Sequence, residues 1–220
     1  MNTILERVNF VCRTVREVNQ KGVTFKKLVI SIRHILKQQG FDITVKTKKD
    51  KHLESFEFYI NAYYDPEDDF NNETPIEVII HHNFDDVSVF TNNQLTDFLI
   101  QIFDATVHEY RHQKQSASRN YQTYSSHPQS PYEEYLIDPD EIDAYAFSIS
   151  VELLRHMSKD RAKRYMTRIK TLSKMRIGNV LVSPNLKAYI DYFGIDRTTK
   201  NLAKKVYKHI DRIDKNNIFM

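Results

Sequence analysis

Apolar residues recur at three- and four-residue intervals over residues 3–19 and again over 24–39, where Phe25, Leu28, Val29, Ile32, Ile35 and Leu36 share one face ahead of Gly40. That period predicts two amphipathic helices. The period then shortens to two. Phe56, Phe58, Ile60, Ala62 and Tyr64 alternate with more polar neighbours, so residues 55–64 read as a strand. Residues 41–46 make a second strand candidate, with 47–51 as a charged turn between the two. Beyond an acidic, loop-like stretch at 65–72, residues 76–82 are β-rich and 87–90 form another short candidate strand.

A helical period returns over residues 93–116, where Leu95, Phe98, Leu99, Ile102, Phe103, Ala105 and Val107 fall mostly three or four apart with no Gly or Pro. Thr91 or Asn92 would cap this helix. Residues 113–137 are rich in Gln, Ser, Asn and Tyr and contain Pro128 and Pro131. A polar loop of that length inside a compact domain is more often functional than idle, and it is expected to line or cover a cleft. Asp138 then has the character of an N-cap with Pro139 at the first helical position, and Leu136, Ile142, Ala146, Ile149, Leu153 and Leu154 supply a buried stripe. Further helices are predicted over 158–175, 183–193 and 198–215, punctuated by Gly178, Pro184 and Gly194. The expectation is an α+β chain, in which a small, mostly antiparallel or mixed sheet packs on the 93–116 helix and a helical part follows. Residues 1–157 would form the main domain and 158–220 a basic helical extension packed on it.

A chain of 220 residues with 40% hydrophobic positions can bury one substantial core. Its one cysteine, Cys12, excludes an intramolecular disulfide framework, suits a reducing compartment, and reads as a buried residue of the first helix. The first sixteen residues mix apolar and charged positions without the profile of a signal peptide, and no later stretch approaches a membrane span. The expectation is a soluble, cytoplasmic protein. Net charge is only +3, but residues 155–220 hold 17 Lys and Arg against 5 Asp, or +12, leaving −9 in residues 1–154. Such a basic half would dock on an anionic partner, either nucleic acid or a component of a larger assembly, unless its lysines merely solvate helix faces.

The candidate chemistry lies in His108-Glu109-Tyr110-Arg111-His112, which spells H-E-x-x-H within a predicted helix. Two histidines four apart stand one turn above each other on one face, so both imidazoles can reach a single zinc ion while the intervening glutamate serves as general base. A third ligand is available downstream. Glu141 falls in the first turn of the helix opened by Asp138-Pro139, and two histidines plus one carboxylate leave a tetrahedral position open for water. Asp138, Asp140 and Asp143 are alternatives to Glu141, and the acidic cluster could instead only complement the helix dipole. Two adjacent histidines, His81 and His82, point to opposite faces of a strand, so at most one could join the site.

His108-Glu109-x-x-His112 followed by Glu141-Ile142-Asp143-Ala144 resembles the gluzincin branch of zinc metallopeptidases. The run Glu141-Ile142-Asp143-Ala144-Tyr145-Ala146-Phe147 is closer to the E-x-E-A-x-x-F-A pattern of the ImmA/IrrE group, and the combination is also similar to small HExxH proteins encoded by tailed bacteriophages. The resemblance spans about residues 95–155. It implies a zincin-like fold, one zinc per chain held by His108, His112 and Glu141, and Glu109 as catalytic base. It further implies an edge strand that pairs with extended substrate above the metal, a task residues 76–90 could perform. Where thermolysin-like enzymes place an aspartate four residues after the ligand glutamate, this chain has Tyr145, so Asp104 or Asp143 would have to orient the first histidine. The metzincin extension is absent, since Gln115 and Ser118 stand in its place. Candidates for stabilising an oxyanion are Tyr132, Tyr135 and Tyr145, with Tyr121, Tyr124 and His127 in the same polar stretch.

The function these residues imply is zinc-dependent hydrolysis, most naturally of peptide bonds in a peptide or protein substrate. An alternative of another class is a phage virion or nucleic-acid-binding structural protein that retains the fold. A third is an amidase acting on cell-wall peptide. For a phage product the location would be the host cytoplasm or the virion.

Overall fold

In a computed structural model of the chain, residues 2–19, 22–121 and 132–220 are described. Internal contacts divide it into two units, one of residues 3–122 with 219–220, the other of residues 1–2 with 123–218.

The first unit opens with helices α1 (Asn2–Val18) and α2 (Phe25–Gln38). Leu5, Val8, Val11, Cys12 and Val15 are buried along α1, and the six apolar residues of the α2 stripe are all buried, as their spacing predicts. Cys12 is a free, buried thiol whose sulfur lies 3.6 Å from the Leu99 carbonyl, which fits a core residue. Strands β1 (Ile43–Lys49) and β2 (Phe58–Tyr64) follow. β1 runs three residues past its expected end, because the charged segment expected as a turn pairs with a neighbouring strand as far as Lys49. In β2 the expected alternation holds from Phe58 on, with Phe58, Ile60, Ala62 and Tyr64 turned inward and Tyr59, Asn61 and Tyr63 exposed, but Phe56, expected on the inward face, is exposed ahead of the strand at φ +66°.

The acidic stretch expected to be a loop contains a short helix, α3 (Pro66–Phe70), capped by the Asp65 side chain with Pro66 at its start. Strand β3 (Ile76–His82) is the centre of a mixed three-stranded sheet ordered β1-β3-β2. It pairs parallel to β1, Ile43 opposite Ile76, and antiparallel to β2, Tyr64 opposite Ile76. A strand bonded on both sides has no edge to offer, so residues 76–82 cannot receive substrate by strand addition. Residues 87–90 contribute only one isolated bridge, Val89 to Thr24. The open edges of this sheet belong to β1 and β2.

Helix α4 (Asn92–Ala117) packs chiefly on β2 and also on β3. Thr91 caps it in a full capping box with Gln94, and Leu95, Phe98, Leu99, Ile102, Phe103 and Val107 are buried. An aromatic cluster fills the space beneath, with Phe25 edge-on to Phe84 at 4.6 Å and Phe58 5.4 Å from Phe98. The last two residues of the chain belong here too. Phe219 lies under the Arg16 guanidinium at 4.4 Å, and the Met220 carbonyl accepts a hydrogen bond from Arg16 at 2.8 Å.

The second unit is mostly helical, with α5 (Tyr132–Ile137), α6 (Pro139–His156), α7 (Lys159–Met166) and α8 (Ile169–Leu172). The single helix expected over 158–175 is broken at Arg168, whose backbone leaves helical geometry at φ −129°, ψ 52°. A two-residue hairpin of β4 (Arg176–Ile177) and β5 (Val180–Leu181) turns at Gly178, which sits at φ +59°. Then come α9 (Pro184–Phe193) and α10 (Arg197–Arg212). Helix α10 packs along α6, while α7 and α9 touch both. The molecule is therefore α+β, with a small mixed sheet and a dominant helical content. No helix among the described residues is long and apolar enough to cross a membrane.

Candidate metal centre

Both histidines of the H-E-x-x-H motif lie past the midpoint of α4, half-buried and one turn apart. Their rings are 4.9 Å apart at 71°, and the two Nε2 atoms approach to 3.2 Å. At that separation the two lone pairs cannot simply face each other. Either one ring donates an N–H to the other, or both converge on a cation. Metal–nitrogen bonds of about 2.0–2.1 Å at a tetrahedral angle put two imidazole nitrogens about 3.3 Å apart, so the spacing suits two zinc ligands. Glu109, one residue on, is buried at 7% exposure on the neighbouring flank of the helix.

The turn that carries these residues is held from two sides. Tyr110 packs edge-on against Phe41 at 5.4 Å, and burial pushes its hydroxyl up to about 12, so it stays protonated and supports rather than titrates. One residue beyond the second histidine, the Gln113 amide donates to Asp69 Oδ1 at 3.1 Å, while the Tyr64 hydroxyl donates to Asp69 Oδ2 at 2.8 Å. Burial, with Asp69 adding to it, drives the Tyr64 hydroxyl well above the ordinary phenol range. Asp69 thus ties α3, β2 and α4 together next to His112. Sequence reasoning missed this bracket because Asp69 lies among four acidic residues of a stretch read as a loop.

Asp138 caps α6, its side chain accepting from the Asp140 N–H at 2.7 Å, and Pro139 opens the helix as expected. Glu141 follows in the first turn at 8% exposure, where the positive end of the helix favours its charge. His108 and His112 thus lie on α4 of the first unit, and Glu141 on α6 of the second. Asp138 is occupied as the cap of α6, and Asp140 and Asp143 follow on the same helix. The buried carboxylates of Glu109 and Glu141 differ from common surface acids, because buried charges are paired or bind metal.

No protein-family model, curated protein or solved structure matches this chain.

The other candidates are distributed as follows. Asp104 lies one turn before His108 on α4 and is half-buried. Asp143 Oδ1 sits 3.0 Å from His209 Nε2 and 3.6 Å from Lys205 Nζ, both on α10. Tyr145 packs edge-on to Tyr189 at 5.2 Å, and Tyr135 is half-buried at α5. The Tyr132 side chain, together with Tyr124 and His127, lies outside the described residues, while Tyr121 packs on Phe70 at 5.9 Å. His81 and His82 are engaged within their own unit. His81 stacks on Tyr59 at 4.4 Å, and His82 Nδ1 donates to the Phe84 carbonyl at 3.1 Å.

Proposed function

We infer that the chain is a zinc-dependent hydrolase of the gluzincin kind, acting on peptide bonds, with His108, His112 and Glu141 holding one zinc and Glu109 as base. The observation that carries the reading is the approach of the His108 and His112 Nε2 atoms to 3.2 Å, with the buried Glu109 carboxylate at the intervening position of the H-E-x-x-H turn. Two imidazoles and one carboxylate are the donor set of an open, catalytic zinc site, whereas structural sites close all four positions. When bound, zinc supplies a Lewis acid that acidifies water and polarises a carbonyl. Glu109 takes a proton from the attacking water and delivers it to the departing amine, since an ionised carboxylate can accept at one step and donate at the next. His108 and His112 would hold the ion through Nε2, which requires each ring to be unprotonated at that atom. Glu141, in the first turn of α6 after the Asp138 cap, would supply the third donor and offset part of the ion's charge. An extended substrate would find the open backbone edges of β1 and β2, not the central strand β3.

The test is elemental analysis of the purified protein beside His112→Ala and Glu141→Ala. About one zinc per chain, lost in both variants, is expected. A protein that binds no zinc when supplied with it overturns the reading, and zinc retained by Glu141→Ala overturns the third ligand.

A further inference from the structure

We propose that the unit of residues 123–218 carries a surface for the phosphate backbone of a nucleic acid at the end of α7, independent of the metal chemistry. Arg161, Arg164 and Arg168 are exposed and, with Tyr165 and Thr167, line one concavity. The opposite flank of α7 is spoken for: Ala162 and Met166 are buried, and Lys163 pairs with Asp211 and lies 4.9 Å from the Tyr207 ring. That pairing consumes the nearest carboxylate on α10. Among the described residues none of the three arginines has a carboxylate within ion-pair distance, and Asp160, the one acid of α7, does not line the concavity. Three guanidinium groups that share a hollow without a counter-ion repel one another, and a polyanion relieves that repulsion.

The residue types favour phosphodiester over a carboxylate-bearing partner. Guanidinium forks bind phosphate oxygens bidentately, and hydroxyls of Tyr165 and Thr167 add donors beside them. Tyr165 also offers a ring face, already flanked by Arg161 at 5.6 Å, on which a base can stack. Helix α10 of the same unit extends the field with Arg197, Lys200, Lys204 and Lys208, again without ion pairs among the described residues.

The experiment is fluorescence anisotropy of the full chain with labelled single-stranded and duplex DNA, in chelator, at about 50 and 200 mM KCl. The comparison is with the triple variant Arg161→Gln/Arg164→Gln/Arg168→Gln and with Arg161→Lys/Arg164→Lys/Arg168→Lys. All six changes are at exposed positions, and a melting curve confirms that each variant is folded. Three lost phosphate contacts flatten the slope of log K against log salt by about 2.7 on duplex, or about 40-fold in salt sensitivity over that interval. The glutamine variant is expected to show this flattening, and the lysine variant to keep most of the slope. A wild-type chain that does not bind DNA, or a glutamine variant with an unchanged slope, overturns the proposal. Binding of a poly-glutamate peptide as tight as that of DNA overturns it in favour of an acidic protein partner. Zinc content is measured in parallel, so failure here is distinguishable from failure of the metal reading.

Discussion

The bracket at Asp69 makes a quantitative prediction about what holds the ligand-bearing turn of α4. Asp69 accepts from Tyr64 at 2.8 Å and from Gln113 at 3.1 Å, and both Tyr64 and Asp69 are half-buried. A hydrogen bond to a charged group contributes about 1.5–3 kcal/mol, and partial exposure places these bonds near the lower end. Tyr64→Phe removes one donor and leaves the ring packed, so a loss of about 1.5 kcal/mol is expected. Asp69→Ala removes both acceptors and should cost about 2–3 kcal/mol. Once Asp69 is gone the Tyr64 hydroxyl has lost that partner, so the double variant should be little worse than Asp69→Ala alone. The coupling energy of the cycle is then about 1.5 kcal/mol. Urea unfolding followed by tyrosine fluorescence and circular dichroism reads all four proteins. Strict additivity, with coupling below about 0.3 kcal/mol, would show that the two side chains do not share this carboxylate and refute the bracket.

Three other outcomes are expected. Glu109→Gln should keep its zinc yet lose turnover of a peptide substrate by about a hundredfold or more, and retention of full activity would remove Glu109 as base. His82 is held below the ordinary histidine value, chiefly by burial, with the Lys49 charge adding to this, while the Phe84 carbonyl and Asp86 oppose it. The unfolded chain therefore binds more protons just below pH 6.5, so stability should fall as pH drops through that value, and His82→Gln should flatten the profile in thermal melts. Thr91→Ala breaks the capping box of α4 and should lower stability by about 1 kcal/mol, and an unchanged urea midpoint would mean the box contributes nothing.

Most of what positions the candidate ligands on their helices was legible along the chain, because it rests on local chemistry. Thr91, the apolar stripe from Leu95 to Val107, and Asp138-Pro139 each declare a helix start or face without reference to distant residues. The same grammar at Asp65-Pro66 went unread, since α3 is five residues long and buries none of them, so no hydrophobic period marks it. β1 was cut short because Thr47, Lys48 and Lys49 carry no strand pattern of their own. Their partners Ile80, His81 and His82 hold them in the ladder. The parallel pairing, the central place of β3 and the exclusion of residues 87–90 from the sheet all depend on strand order, which periodicity does not encode. The break at Arg168 and the hairpin at Gly178 are too short to alter a helical period.

The strand order β1-β3-β2 also dictates a sequence of events during folding. Tyr64 and Ile76, which face each other across the antiparallel pair, are separated by 12 positions in the chain, whereas Ile43 and Ile76 of the parallel pair are separated by 33. The longer closure costs about 0.9 kcal/mol more in chain entropy, so β2 and β3 meet first and β1 joins a template already formed. All three strands leave the ribosome ahead of α4. The helix that bears both histidines emerges only after the last of these strands, so its apolar stripe meets strands of its own chain first.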